Sequence, residues 1–291
     1  SKNIYGPYED KIVLHQGSTP INGPHQGGWV ELDNGEFWFV HFQDRDAYGR
    51  IVHLQPMHWE NDWPVMGINQ NKDGIGEPVI AYKKPGVKGT YPICVPETSD
   101  DFTSQALGLQ WQWHGNPKKE WYSLECVNYL RLNSQYYQKS TTLWEVSNLL
   151  LQKFPAPEFQ ATAKIEYRAL ETGDQIGFVV MGLMYHGLFI KRSEIENAYE
   201  LSFIEGDVTK GVEEETIITK VVNSSTIYFQ LKVNNHALCE FLYSLDSDIF
   251  QRVGSFTASK GKWIGAKFGL VCWNREQATQ GSVNVDWCIV E

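Results

Sequence analysis

The sequence predicts an all-β protein built in two regions. Three observations carry that reading. Apolar and polar residues alternate in short runs, the period of a half-buried strand. Turn residues (Gly, Pro, Asn, Asp) punctuate the runs about every ten residues, the spacing of a sandwich or a propeller. Only one stretch, STTLWEVSNLLLQK (140–153), has a helix-like pattern, and its apolar residues read equally as a strand ending in a turn.

Residues 1–85 form the first region. KIVLH (11–15), GGWVEL (27–32), EFWFVHF (36–42), RIVHLQPM (50–57) and PVIAY (78–82) read as short strands. Asp33-Asn34-Gly35 is a strong hairpin signal because such residues tolerate the positive φ of a tight turn. DRDAYG (44–49) reads as a looser loop. So few strands enclose little core, and the region looks incomplete. The segment KKPGVKGTYPICVPETSD (83–100) is rich in Pro, Gly and Lys, and 86–100 is expected to be a linker. The second region, 101–291, holds runs such as FQATAKIEYRA (159–169), QIGFVVMGLMY (175–185), STIYFQLKVNN (225–235) and WIGAKFGLVCW (263–273). Roughly nine or more such strands with Gly and Asn turns predict an antiparallel sandwich. No repeat of fixed period is visible.

The bulk numbers exclude some function classes. The 291 residues are 42% hydrophobic and 21% charged, with 13% aromatics, 11 Trp and 14 Tyr. Aromatics stack on sugar rings, although most Trp in a β protein is core. A net charge of −10 and a pI near 5.3, with no basic stripe, argue against nucleic acid as a partner. No run of apolar residues is long enough to span a membrane. Five cysteines, Cys94, Cys126, Cys239, Cys272 and Cys288, lack CxxC spacing and read mostly as buried thiols that neither demand nor exclude an oxidising compartment. The chain opens at Ser1 directly in strand-like sequence, so a preceding segment is expected, and any targeting signal with it.

Gly-rich phosphate loops, HExxH and GxSxG are absent. His25 lies in a Gly-Pro setting, NGPHQGG, where backbone can approach a ligand closely, although a lone histidine is more often structural than a ligand or catalyst. Arg50 follows Gly49 at a loop-to-strand junction, where a guanidinium forks onto sugar hydroxyls or a carboxylate, or simply makes a surface ion pair. Among Glu9, Glu31, Asp33, Glu36, Asp44, Asp46, Glu60 and Asp62, none stands in an apolar setting that would suit acid–base work. His186 reads as packed within a strand. WQWHGNP (111–117) is either a sugar-stacking edge or, preferably, a buttress of the sandwich. Asp101 and Asp286, near the ends of the second region, either share a Ca²⁺ or cap strand ends.

Long collinear stretches carry a family resemblance: SKNIYGPYE, NGPHQGGWVELDNGEFWFVHFQD, GRIVHLQPMHWENDWPVMG and GEPV, then DDFTSQALGLQWQWHGNP, LRL, NLLLQK, WIGAKFGL and VNVDW. The chain resembles the C-terminal portion of glycoside hydrolase family 43, which holds β-xylosidases and α-L-arabinofuranosidases. The resemblance implies the last blades of a five-bladed β-propeller over 1–85, then a concanavalin A-like jelly roll, an antiparallel β-sandwich, over 101–291. It implies an inverting glycosidase that releases xylose or arabinose from plant cell-wall oligosaccharides, with periplasmic or secreted placement favoured. In this family the acid, base and tuning carboxylates come from earlier blades, so they are expected upstream of residue 1. The missing propeller portion, supplied as another chain or lost by cleavage, is then an expected partner without which 1–85 does not fold. His25 matches the family histidine beneath the sugar, near a Ca²⁺ or water cluster, and Arg50 matches an arginine that reaches the sugar. Gln26 and Trp29 flank the motif and are expected to shape the pocket. No cofactor is required beyond that Ca²⁺. The alternative is a non-catalytic carbohydrate-binding or bracing sandwich.

Overall fold

The computed structural model describes residues 1–125, 128–138, 142–194, 198–210 and 212–291, with backbone alone at 212–215 and 217–219. The chain divides into two compact units. The first is Ser1–Arg45 with Arg50–Cys94; the second is Val95–Glu291 together with Asp46–Gly49.

The first unit holds one antiparallel sheet in the order β1 (His25–Glu31), β2 (Phe37–Asp44), β3 (Arg50–Glu60), β4 (Trp63–Met66). The expected Asp33-Asn34-Gly35 turn closes the first hairpin, with Leu32 N donating to Glu36 O at 2.8 Å. A second tight turn at Asn61-Asp62, both at positive φ, closes β3 on β4. Period two separates the faces of the sheet. Phe39, His41, Gln43, Gln55 and Met57 are buried on one; Val30, Val40, Val52 and Leu54 stay exposed on the other. Two expected strands are corrected. KIVLH contributes only a bridge from Leu14 to Gly76, and PVIAY forms no strand. The start of the expected linker is tied to this unit, since Gly86 N donates to the Glu36 carboxylate at 2.8 Å.

The second unit is a sandwich of two sheets. Its early strands are β5 (Gln112–Trp113), β6 (Tyr122–Ser123), β7 (Leu130–Asn133), β8 (Gln135–Tyr136) and β9 (Leu150–Lys153). The central strands are β10 (Phe159–Glu166), β11 (Asp174–Met181), β12 (Met184–Arg192), β13 (Tyr199–Asp207) and β14 (Val212–Val222). The last are β15 (Thr226–Val233), β16 (Leu238–Ser244), β17 (Gln251–Thr257), β18 (Lys267–Asn274) and β19 (Ser282–Val290). One sheet runs β17-β16-β15-β10-β19-β7-β6; the other runs β14-β13-β12-β11-β18-β9-β5, with β8 beside β18. Their inner faces meet in an aromatic and aliphatic core, with Phe159 against Phe268 at 5.4 Å and Phe178 parallel to Phe229 at 6.3 Å.

The two outer faces differ. On β10 buried and half-exposed residues alternate, so that outer face is open to water. On β11 and β18 nearly every residue is buried. The helix-like stretch explains the difference. It folds as a 3-10 turn, Leu143–Glu145, and lays Leu143, Val146 and Leu149 over Val179, Phe189, Val271 and Trp273. Asp100 bridges Cys288, so the beginning and end of this unit are neighbours, as expected. Cys239, Cys272 and Cys288 are buried free thiols, while Cys94 is exposed, against expectation; Cys126 lies outside the described residues.

Candidate functional site in the first unit

His25 begins β1 and sits directly across from Phe42 of β2, their rings 4.7 Å apart edge to face. Arg50 begins β3, and its guanidinium carbon lies 4.4 Å above the same Phe42 ring. The two residues singled out in the sequence are thus brought to one face of the sheet, gathered around one aromatic ring. Arg50 is also the ladder partner of Asp44, so the two residues share that face. The sequence reading put Asp44 in a loop; it is the last residue of β2. The His25 Nδ1 donates to Gly23 O, because a carbonyl can only accept, and this leaves Nε2 to accept from a ligand hydroxyl.

A bulge shapes the entry. The register shifts between His25 and Gly28, and Gln26 takes φ +49° there. Gly27 has no substitute: a Cβ would meet the Phe39 ring and Val40 O at 2.3 Å each. The bulge also overturns the expected grouping of His25 with Trp29. Trp29 pairs with Phe39 and packs against Phe37 and Trp59 at 5.9 and 5.8 Å, on the opposite face from His25.

The expected Asp101–Asp286 calcium site does not assemble. Asp101 accepts from the Thr103 hydroxyl at 2.7 Å and from Thr103 N, contacts that hold its carboxyl below the usual range. Asp286 lies 2.5 Å from Lys164 Nζ. Each aspartate is therefore satisfied by protein groups, and among the described residues no cluster of three acids, histidines or cysteines could hold a metal. Glu36 is likewise structural: the Gly86 amide, and then Trp38, lower its pKa. Two further histidines of the first unit, His41 and His53, stack at 5.4 Å with pKa values lowered by burial.

WQWHGNP braces the second unit. Trp111 Nε1 donates to Asp100 at 2.9 Å, Trp113 packs on Trp121 and Tyr122, and His114 bonds Trp144 O. His186 is buried in β12 and bonds Glu205, as the strand-packed reading expects.

Comparison with known proteins agrees with this architecture. The family described as beta xylosidase C-terminal concanavalin A-like domain matches residues 99–291. A putative beta-xylosidase of Xylanibacter ruminicola is 38% identical over 279 residues, covering 93% of this chain and 49% of that protein. A beta-xylosidase of Formosa agariphila is 33% identical over 315 residues, covering 98% of this chain and 51% of that protein. Among solved structures, a bifunctional GH43-CE protein of Bacteroides eggerthii superposes with a TM-score of 0.82 at 25% identity, covering all of this chain and 36% of that one. The chain spans about half the length of the curated relatives it matches. A sandwich matched over its whole length, preceded by a sheet that aligns with the same relatives, places this chain in glycoside hydrolase family 43, as the C-terminal portion of the beta-xylosidase type.

Proposed function

We propose that the chain is the C-terminal part of an inverting glycosidase that releases pentose from plant cell-wall oligosaccharides. The observation that carries this reading is the convergence of His25 and Arg50 on Phe42. An imidazole acceptor and a guanidinium donor on one face suit the hydroxyls of a sugar ring. The acid and base carboxylates, about 6.5–9.5 Å apart in an inverting enzyme, belong to the rest of the propeller. That portion, in the same polypeptide or another, covers the exposed Val30, Val40, Val52 and Leu54 face. The bracing role of WQWHGNP supports a sandwich that steadies the propeller over one that binds sugar through that motif.

The test is kinetic, in the whole protein that contains this chain, with an aryl β-xyloside and an aryl α-L-arabinofuranoside. His25→Ala and Arg50→Ala are each expected to lower kcat/KM for the preferred substrate by about 10- to 100-fold, the loss of one strong hydrogen bond. Thermal midpoints should stay close to wild type, since both side chains are exposed. Wild-type kcat/KM in both variants would overturn the assignment.

A further inference from the structure

The open outer face of the sandwich carries a polar cleft of about 330 Å³, lined by Arg131, Glu166, Arg168, Ser225, Ser282 and Asn284. Its floor is a cross-strand row: Glu166 on β10 pairs with Asn284 on β19, which pairs with Arg131 on β7. Arg131 Nε donates to Asn284 Oδ1 at 3.2 Å, and its Nη2 donates to Tyr129 Oη at 3.0 Å. Arg168 Nη2 donates to Ser225 Oγ at 3.0 Å. Both guanidiniums are thus oriented by neutral groups. Among the described residues neither has a carboxylate within 4.0 Å, although Glu166 lines the same cleft.

We propose that this cleft binds the carboxylate of an acidic sugar, a hexuronate, in a site separate from the His25 face. Two fixed guanidiniums present the fork that a carboxylate matches bidentately. Ser225, Ser282 and Asn284 offer hydroxyl and amide partners for the sugar ring. Glu166 opposes any anion in the cleft, the uronate carboxylate included, but its oxygens accept from the several hydroxyls of a sugar ring, which inorganic phosphate does not offer. A cleft of this size, within the usual range for small-ligand sites, holds one sugar ring. Uronates are the acidic substituents of plant cell-wall glycans, so the ligand class rests on the glycosidase reading above. The readout is binding rather than hydrolysis, so either idea can fail without the other.

The full chain is titrated by calorimetry and by ligand-observed NMR with methyl glucuronoside, methyl glucoside and inorganic phosphate. Saturable glucuronoside binding is expected, at least about tenfold tighter than the neutral glucoside, the worth of one charge-assisted fork. Arg168→Ala, at an exposed residue bonded among the described residues to Ser225 alone, should weaken glucuronoside by a similar factor with an unchanged thermal midpoint. Arg131→Ala should do likewise, and Glu166→Gln should weaken glucuronoside but not phosphate. Absence of glucuronoside binding, equal affinity for the glucoside, or displacement by phosphate at equal concentration would each overturn the proposal.

Discussion

At the scale of single residues, the structure's most committed polar group is one the sequence did not mark. Asp174 is fully buried at the start of β11. Its carboxylate accepts from Ser134 Oγ at 2.7 Å, Asn274 Nδ2 at 2.9 Å, Thr279 Oγ1 at 2.6 Å and Glu171 N at 2.8 Å. Three stretches distant in sequence, at 134, 171–174 and 274–279, therefore meet on one side chain. Asp174→Ala leaves several buried donors without an acceptor and is expected to cost about 3–5 kcal/mol; an unfolding free energy from urea titration within about 1 kcal/mol of wild type would refute this role. No local pattern shows such a hub, because its partners are set by tertiary pairing. His25 and Arg50 were legible because unusual neighbours, glycines and a proline, surround them. Trp29 misled for a definite reason. Counting by twos puts His25, Gly27 and Trp29 on one face, and the bulge at Gln26 reverses that parity.

At the scale of elements, long alternating strands were read well from sequence, and short ones were not. β4, only Trp63–Met66, pairs through the Asn61-Asp62 turn, a hairpin signal passed over beside the stronger Asp33-Asn34-Gly35. PVIAY looked like a strand because its residues are apolar, yet it finds no ladder partner. Strand pairing also buries histidines, and this gives the fold a pH dependence. Burial is the first cause that lowers the pKa of His41, His53, His114 and His186 below 6.5. Below pH 6.5 the unfolded chain then binds more protons than the folded one, so stability falls as pH falls. The lowered carboxyls of Glu36, Asp101, Asp207 and Asp246 act with the same sign, but only from about pH 4.5 downward. The urea midpoint is therefore expected to drop between pH 7.5 and 5.5, before any carboxylate titrates appreciably. A midpoint that is flat or rises across that interval would exclude the histidines as the cause.

At the scale of the whole molecule, the two units differ in self-sufficiency. The second encloses a core of fully buried residues between two sheets, with a second apolar cluster under residues 143–149. The first has four strands, one buried face that includes polar His41, Gln43 and Gln55, and one exposed apolar face. An isolated sheet of that kind buries too little to offset chain entropy. The expectation is that residues 1–94 alone show no cooperative urea transition, whereas residues 95–291 alone do. The second fragment should still be weaker than the same unit in the whole chain, because that unit includes Asp46–Gly49. Ala47 is buried in its core, and Ala266 N donates to Ala47 O at 2.7 Å. The Tyr48 hydroxyl donates to Pro157 O at 3.0 Å and accepts from Ala237 N at 2.8 Å. Removing those partners takes the acceptor from Ala266 N and the donor from Pro157 O, and one of two acceptors from Ala237 N, which also donates to Asn234 O at 3.0 Å, a loss of about 1–3 kcal/mol. Tyr48→Phe in the full chain isolates the hydroxyl's share, expected near 1 kcal/mol. Native-state amide exchange at Ala237 reads the same bond: protection should fall in both Tyr48→Phe and the 95–291 fragment. A sharp two-state transition in 1–94, or unchanged protection at Ala237 in both proteins, would show that stability is not divided this way.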